Sequence, residues 1–565
     1  MKTDTQLTRK EALAQLTAPG EPYELHSIKV NGNTCRAFRN APPTLRDLFF
    51  EARSDVTFLV YEQERYSFED VYLRSARIAK MLVDVYGIKK GDRVSLSMRN
   101  YPEWVMAFDA ITSIGAIAVA MNALWLTEEM EYGLNHSGSK ILFADQERID
   151  RVMPVYQNLG LKVIAVRSNK PLPSDIPLLD ELLKSVPAEM PDVDIEPNDD
   201  ATILYTSGST GHPKGAVSSH LNIISALLSW ELDLKSAILI SGVEPATPEH
   251  PPATLLGVPL FHATGSHAVF LSSFRSQRKM IAMYKWDVRL AAELIEEERI
   301  ASFVGPAAMT GDLVEEARKT NRDLSSLVSV GGGGAPRAPE QVKGIAKIFS
   351  KAMPSTGWGM TETNAIGTGI GGEDYLARPG SSGRCSAILD IAIFDESGKQ
   401  LPAGQRGELL IRGTSIIRGY WNRPDANAET FVDGWLRTGD VAYLDEEGYL
   451  YIVDRIKDLV IRGGENIGCA EVEAALLAHN DILEAAVYAV PDSRLGEEVG
   501  ATIYSPAELD VDEIKDFLNG QVARFKIPRY FNLATEPLPR IASGKINKRQ
   551  LRAAAVEALG LSQEA

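Results

Sequence analysis

Between Tyr205 and Ala216 the chain reads Tyr-Thr-Ser-Gly-Ser-Thr-Gly-His-Pro-Lys-Gly-Ala, directly after the apolar run 201–204. Glycines let backbone N–H groups turn toward an anion, the hydroxyls add donors, and Lys214 supplies a positive charge. That is phosphate-binding chemistry. A Walker-type loop needs Gly-Lys followed by Ser or Thr, whereas here Pro213 precedes the lysine and Gly215 follows it. The segment is a phosphate loop of another kind.

Other segments carry complementary groups. Gly331-Gly332-Gly333-Gly334-Ala335-Pro336 offers backbone that can approach a flat ligand closely. Gly357-Trp358-Gly359-Met360-Thr361-Glu362 sets an aromatic ring, a hydroxyl and a carboxylate suited to a hard cation beside phosphates. Trp435-Leu436-Arg437-Thr438-Gly439-Asp440 ends in an acid, and Asp454-Arg455-Ile456-Lys457-Asp458 follows closely. Near the C-terminus, Lys545 stands on a Ser-Gly turn within Pro539–Ile546. Arg524, Lys526, Arg529, Arg540, Lys548 and Arg549 surround it with Glu536 as the local acid, an attractor for phosphates. Gly367–Gly372 formally fits G-x-G-x-x-G, but it neither follows a clear strand nor opens a clear helix, so it reads as no dinucleotide fingerprint.

These groups need a large scaffold, and 565 residues with 44% apolar content provide one. A net charge of −17 argues against a nucleic-acid partner. Cys35, Cys385 and Cys469 lie far apart, which suits a reducing compartment and neither a disulfide framework nor a cysteine-rich metal site. The N-terminus lacks the apolar core of a signal peptide. The apolar region 104–126 contains Asp109, Gly115 and Asn122, so it predicts a buried helix and strand and no membrane span. The expected location is the cytoplasm.

The pattern predicts strands at 92–98, 116–121, 140–144, 162–166, 301–305 and 327–330, with helices at 103–113 and 338–349. Strands alternating with helices imply parallel-rich sheets covered on both faces. After about residue 454 the texture changes to helices at 470–478 and 511–521 with strands at 485–490 and 499–504, a compact α+β unit of ordinary domain size. The expected fold is α/β: a large N-terminal domain of parallel-rich sheets sandwiched by helices, and a small mobile α+β C-terminal domain. Boundaries are expected at 1–45 for an extension packed on the main body, 46–454 for the large domain and 455–565 for the lid, with a hinge near 454–458.

Together, in this order over roughly residues 45 to 550, the segments closely resemble the motifs of the adenylate-forming superfamily: acyl- and aryl-CoA synthetases, beetle luciferases and peptide-synthetase adenylation domains. The resemblance implies that Thr206, Ser207, Gly208, Ser209, Thr210, Gly211 and Lys214 hold ATP phosphates. It implies Gly334, Ala335, Pro336, Trp358, Gly359 and Met360 at adenine, Thr361 at the α-phosphate, and Glu362 on Mg²⁺. Many members carry Tyr at the position of Trp358, so the stacking part of that role is what transfers. Asp440 and Arg455 would take the ribose hydroxyls, Lys457 would be the hinge, and Lys545 would catalyse adenylation. Gly463, Gly464 and Glu465 match the loop that helps build the thioester site with coenzyme A. Downstream of that loop, Gly468-Cys469-Ala470 departs from the family's bulky residue and proline, and Cys469 reads as a buried structural thiol.

Pro259–Gly265 resembles the segment lining the acyl site, with Phe261 and His262 joined by Gly305, Gly331 and Gly332 in the pocket; His262 fits a catalytic position and a packed core histidine equally. No Asp or Lys in the segment would bind an ammonium or a second carboxylate, so a hydrophobic acid is favoured: medium- or long-chain fatty, aromatic or alicyclic. Some twenty residues follow Lys545, which favours free coenzyme A over a fused carrier domain. A carrier-protein acceptor, luciferase chemistry and a catalytically silent scaffold are the alternatives; Lys545, Glu362 and Asp440 all being present counts against the last. A monomer or homodimer is expected.

Overall fold

Apolar strands bounded by amphipathic helices must bury both faces of a sheet. The computed structural model describes residues 7–30, 32–206, 212–243, 248–334, 337–463, 465–541 and 545–561. One sheet of seven strands has a parallel centre in which Arg93–Ser97 lies between Ile117–Ala120 and Ile141–Asp145. Lys162–Val166 forms one edge. The other edge turns antiparallel through Asp200–Thr206, Lys214–Ser219 and Gly419–Tyr420.

A second sheet of 14 strands runs parallel through Ala253–Leu256, Ser302–Gly305, Ser329–Gly332 and Met353–Trp358. Beyond Met353–Trp358 it continues antiparallel, from Thr368–Gly371 to Trp435–Leu444 and Tyr449–Arg455. The Gly367–Gly372 run therefore is a strand leading into the short helix Gly372–Ala377, in an antiparallel setting foreign to a dinucleotide fold. Every residue of the helix Pro102–Ser113 is buried, and it shares one core with Val94 and Leu96 of the first sheet and Leu255 and Met280 of the second. A helix apolar on all sides has no other stable place. Among the described residues no helix is long and apolar enough to cross a membrane.

The N-terminal residues form the helix Arg9–Leu16, capped by Thr8 and Glu11, and the hairpin Leu25–Val30/Asn33–Phe38. They clasp the body: Arg9 pairs with Asp233 at 3.1 Å, Tyr23 donates to Glu231, and Arg36 pairs with Asp390 at 2.6 Å. At the other end a five-stranded sheet built on Glu484–Asp492 and Gly496–Tyr504 carries the helices Cys469–Leu476, Val511–Leu518 and Lys548–Ala558. It has its own apolar core around Val460, Ile467, Val472 and Ile514. The mixed architecture agrees with the sequence reading, and the predicted elements fall within a few residues of the observed ones.

Candidate active site

Both large sheets and the small C-terminal sheet border one cavity of about 3050 Å³, roughly three times the volume that holds an ordinary small ligand. Its lining falls into three parts, termed for the groups expected at their residues: a phosphate end, a nucleoside end and an acyl channel.

The phosphate end begins with the strand Lys214–Ser219, which pairs with Gly419–Tyr420 so that Ala216 faces Tyr420. This register places the Lys214 ammonium 5.0 Å above the Tyr420 ring. The Tyr420 hydroxyl donates to Glu362 Oε1 at 2.7 Å, and burial with the adjacent carboxylate pushes the phenol pKa up. Glu362 is buried, and its other carboxylate oxygen has no hydrogen-bond partner among the described residues. The turn that carries Thr361 and Glu362 closes with Asn364 and Ala365 at φ 56° and 63°. Non-glycine residues in that region store strain, which persists only where surrounding structure imposes it. Here Asn364 accepts from Ser218 Oγ at 2.8 Å and donates to Ser415 O at 2.8 Å. Ser207, Gly208, Ser209, Thr210 and Gly211 lie outside the described residues, as do Ala335, Pro336 and Gly464; Thr206 borders the cavity.

At the nucleoside end Asp440 stands directly opposite Arg455 across an antiparallel ladder, Nε to Oδ1 2.6 Å. The Trp358 indole donates to the other oxygen, Oδ2, at 2.7 Å. The Asp440 side chain is 3% exposed. Burial raises its pKa, and Arg455 and the Trp358 hydrogen bond oppose that rise. Gly359, Met360, Thr361 and Gly334 border the same space.

Lys545 reaches in from the small sheet. Its Cε lies 3.7 Å from where a side chain on Gly334 would begin. The ammonium is open to the cleft yet walled by protein, so lost hydration and the Arg455 charge lower its pKa while Asp440 counteracts them. Its field extends to His262, whose pKa is pushed down to about 4 by burial and by Lys545. His262 is therefore neutral, and its Nε2 has no hydrogen-bond partner among the described residues.

The acyl channel starts at His262, Ala263 and Thr264 and runs between two helical faces. Leu227, Trp230, Leu234 and Ala237 line it at helical spacing, with Glu231, Asp233 and Ser236 of the same helix beside them; Thr264, Ala268 and Ser272 line it at every fourth residue. The second face opens on a π-helix, Thr264–Leu271, whose first turn packs so tightly that a Cβ on Gly265 would meet Pro259 O at 2.2 Å. Such π segments recur at functional sites.

Several pocket expectations need correction. Phe261 is 4% exposed and packs behind His262, and Gly305 is buried behind Val304 and Pro306, which line the cavity in its place. Gly331 and Gly332 do border the cavity, but the space beside Gly332 holds the Arg337 guanidinium, 2.8 Å from where a Cβ would stand. Gly463, at φ +58°, and Glu465 sit on the hairpin Val460–Arg462/Glu465–Ile467, away from the cavity wall. Lys457 lies in the exposed turn that follows Arg455, between the two sheets. Cys469 is fully buried, donates to Asp458 O and has its thiol pKa pushed up by burial. Tyr420 escaped the sequence reading; its signal was Gly419-Tyr420-Trp421-Asn422-Arg423-Pro424, an apolar pair before a Pro-started helix.

The chain matches the AMP-binding enzyme family over residues 49–421 and the AMP-binding enzyme C-terminal domain over 471–545. It is 32% identical over 494 residues to the long-chain-fatty-acid–CoA ligase FadD13 of Mycobacterium tuberculosis, covering 85% of this chain and 92% of that one. It is 31% identical over 504 residues to 4-coumarate–CoA ligase 1 of Arabidopsis thaliana, covering 86% and 87%. Among solved structures it superposes on the o-succinylbenzoate CoA synthetase of Bacillus subtilis bound to its acyl-adenylate. There the TM-score is 0.77 and the identity 28%, over 90% of this chain and 98% of that one. ATP-bound MatB from Rhodopseudomonas palustris gives a TM-score of 0.79 at 26% identity, over 91% and 99%.

Proposed function

The chain belongs to the AMP-binding enzyme family and is an AMP-forming acid–CoA ligase, and on that premise we propose how its cleft divides the work and which acids it accepts. The reaction has two halves. A carboxylate oxygen attacks the α-phosphorus of ATP, pyrophosphate leaves, and an acyl-AMP anhydride forms. The thiol of coenzyme A then attacks the acyl carbon and AMP departs.

For the first half, Lys214 neutralises the phosphates, Thr361 donates to the α-phosphate, and Lys545 bridges the α-phosphate and the incoming carboxylate. Fixed donors aimed at developing charge act where water cannot screen them. The observation that carries this reading is Lys545 itself, which lies beyond the strands of the small sheet yet stands beside Gly334, feels the charges of Arg455 and Asp440, and acts on His262. His262, held neutral, offers an uncharged edge beside the acyl carboxylate.

Mg²⁺ travels with ATP, and Glu362 suits it. One of its oxygens is held by Tyr420, and the other has no hydrogen-bond partner among the described residues. No cluster of three or more His, Cys, Asp or Glu among the described residues offers a protein-only cage. That donor set matches an ion which takes one or two carboxylates and leaves its other positions to phosphates and water. When bound it offsets charge on the phosphate oxygens.

For the second half, residues 455–565 act as a lid on the 46–454 body and turn about 454–458, withdrawing Lys545 and bringing Gly463, Gly464 and Glu465 toward the thiol. The exposed Lys457 turn between the two sheets and the placement of the Gly463 hairpin away from the cavity both support such a rotation.

The acid has a long apolar tail. From Leu227 to Ala237 the channel wall spans ten residues of helix, about 15 Å at 1.5 Å each, and small side chains floor its other side. We place the enzyme in the cytoplasm, a reading supported by its three unpaired cysteines. Pyrophosphate release from ATP across saturated acids of graded length and cinnamate-type acids, with and without coenzyme A, tests the assignment. Preference for short aromatic acids sinks the long-tail reading.

A further inference from the structure

We propose that Trp358 is a positioning residue for the nucleotide ribose, acting through Asp440, beyond any stacking of its ring on the base. This rests on the reading of Asp440 as the ribose acceptor.

Asp440 is held from both sides. Arg455 Nε reaches Oδ1 at 2.6 Å and the Trp358 indole N–H donates to Oδ2 at 2.7 Å. A carboxylate has about four acceptor sites, so each oxygen keeps one for a ligand, the number a vicinal diol requires. The two partners also fix rotation about the carboxylate, which a single partner would leave free. The indole is itself immobilised. Its strand pairs Trp358 with Thr368, and Gly367 has no side chain where a Cβ would stand 2.7 Å from indole Cε3. Its inner edge packs against the apolar cluster that contains Ile393, Leu409 and Leu450. A phenyl ring there would present a face to the base but leave part of the indole's volume empty, and it would carry no donor toward Asp440. The backbone N–H of Asp440 adds a third tether, donated to Thr438 Oγ1 at 3.1 Å.

The hypothesis separates two ways in which an aromatic ring can help bind ATP. A ring that only stacks contributes equally whatever the sugar carries. A ring that orients Asp440 contributes only when a ribose hydroxyl is there to be gripped. Calorimetric dissociation constants for ATP, 2′-deoxy-ATP and 3′-deoxy-ATP should therefore be measured on the wild type, on W358F, and on protein with benzothienylalanine at position 358. That last residue keeps the bicyclic shape without the N–H and covers the case in which W358F folds poorly. The wild type should favour ATP over at least one deoxy analogue by about tenfold. Both variants should lose about tenfold on ATP and little on that analogue. An equal loss on all three nucleotides overturns the proposal in favour of stacking alone. A wild type indifferent to both sugar hydroxyls overturns the ribose reading of Asp440, and this proposal with it.

Discussion

Lys545 lies beyond the last strand of the C-terminal sheet, beside the bridge between Arg540 and Ile546, yet its Cε stands 3.7 Å from the point where Gly334, just past a strand of the large sheet, would carry a Cβ. Gly334 stands at φ +78°, a conformation that glycine adopts freely, and a side chain there would touch Lys545.

Lys545→Ala should lower acyl-AMP formation by about 10²–10³-fold, the usual cost of one preorganised donor. Thioester formation from pre-made acyl-AMP should change little. Single-turnover assays of the two halves check this, and equal losses in both would refute a role confined to adenylation.

Tyr420→Phe removes the hydroxyl that holds Glu362. A hydrogen bond to a charged group contributes about 1.5–3 kcal/mol, so the variant should need roughly tenfold more Mg²⁺ for half-maximal rate. Glu362→Gln should be more severe. A Mg²⁺ titration of both variants that matches the wild type would rule out Glu362 as the metal-facing group.

Lys457→Pro fixes φ in the turn between the large sheet and the small one. Adenylation should continue while overall turnover to the thioester falls at least tenfold, on the order of the entropic and conformational cost of a blocked rotation. Full turnover by the variant would move the pivot elsewhere.

Ala268→Trp puts an indole on the wall of the cavity that Trp230 also lines. Activity should collapse for long saturated acids and persist for short ones, read as kcat/KM across a chain-length series. An unchanged profile would mean the acid does not follow these helical faces.

His220 is fully buried, accepts from Leu45 N at 3.1 Å, and burial holds its pKa near 4 against an ordinary value of 6.5. Below pH 6.5 the unfolded chain takes up a proton that the folded chain refuses, so this group costs stability as pH falls from 6.5 to 4. At pH 5 the loss is about 2 kcal/mol. Asp109, raised to about 7 by burial, works in the opposite direction, losing stability as pH rises from its ordinary 3.8. The comparison must therefore be with a variant: His220→Asn should flatten the fall in unfolding free energy between pH 7 and pH 5. Parallel profiles for variant and wild type would remove His220 from the account.

The amino-acid sequence by itself determined the reaction class and the scaffold. Gly-rich runs, a Pro-Lys-Gly end and acids at fixed spacing constrain local chemistry, and apolar periodicity sets strands and helices without reference to distant parts of the chain. It singled out Lys214, Trp358, Glu362, Asp440, Arg455 and Lys545, because each sits in a motif whose neighbours have few other uses, and all six border one cavity. Tertiary structure decided what depends on which face of a strand turns inward and which residues meet from afar. That Phe261 and Gly305 are buried outside the cavity lining, that Arg337 fills the space beside Gly332, and that Tyr420 links Lys214 to Glu362 are facts of register and packing. So is the indole of Trp358 ending on Asp440, 82 positions later in the chain. Side-chain types and spacing encode which contacts are chemically possible; only the folded chain's long-range pairing selects the ones that are made.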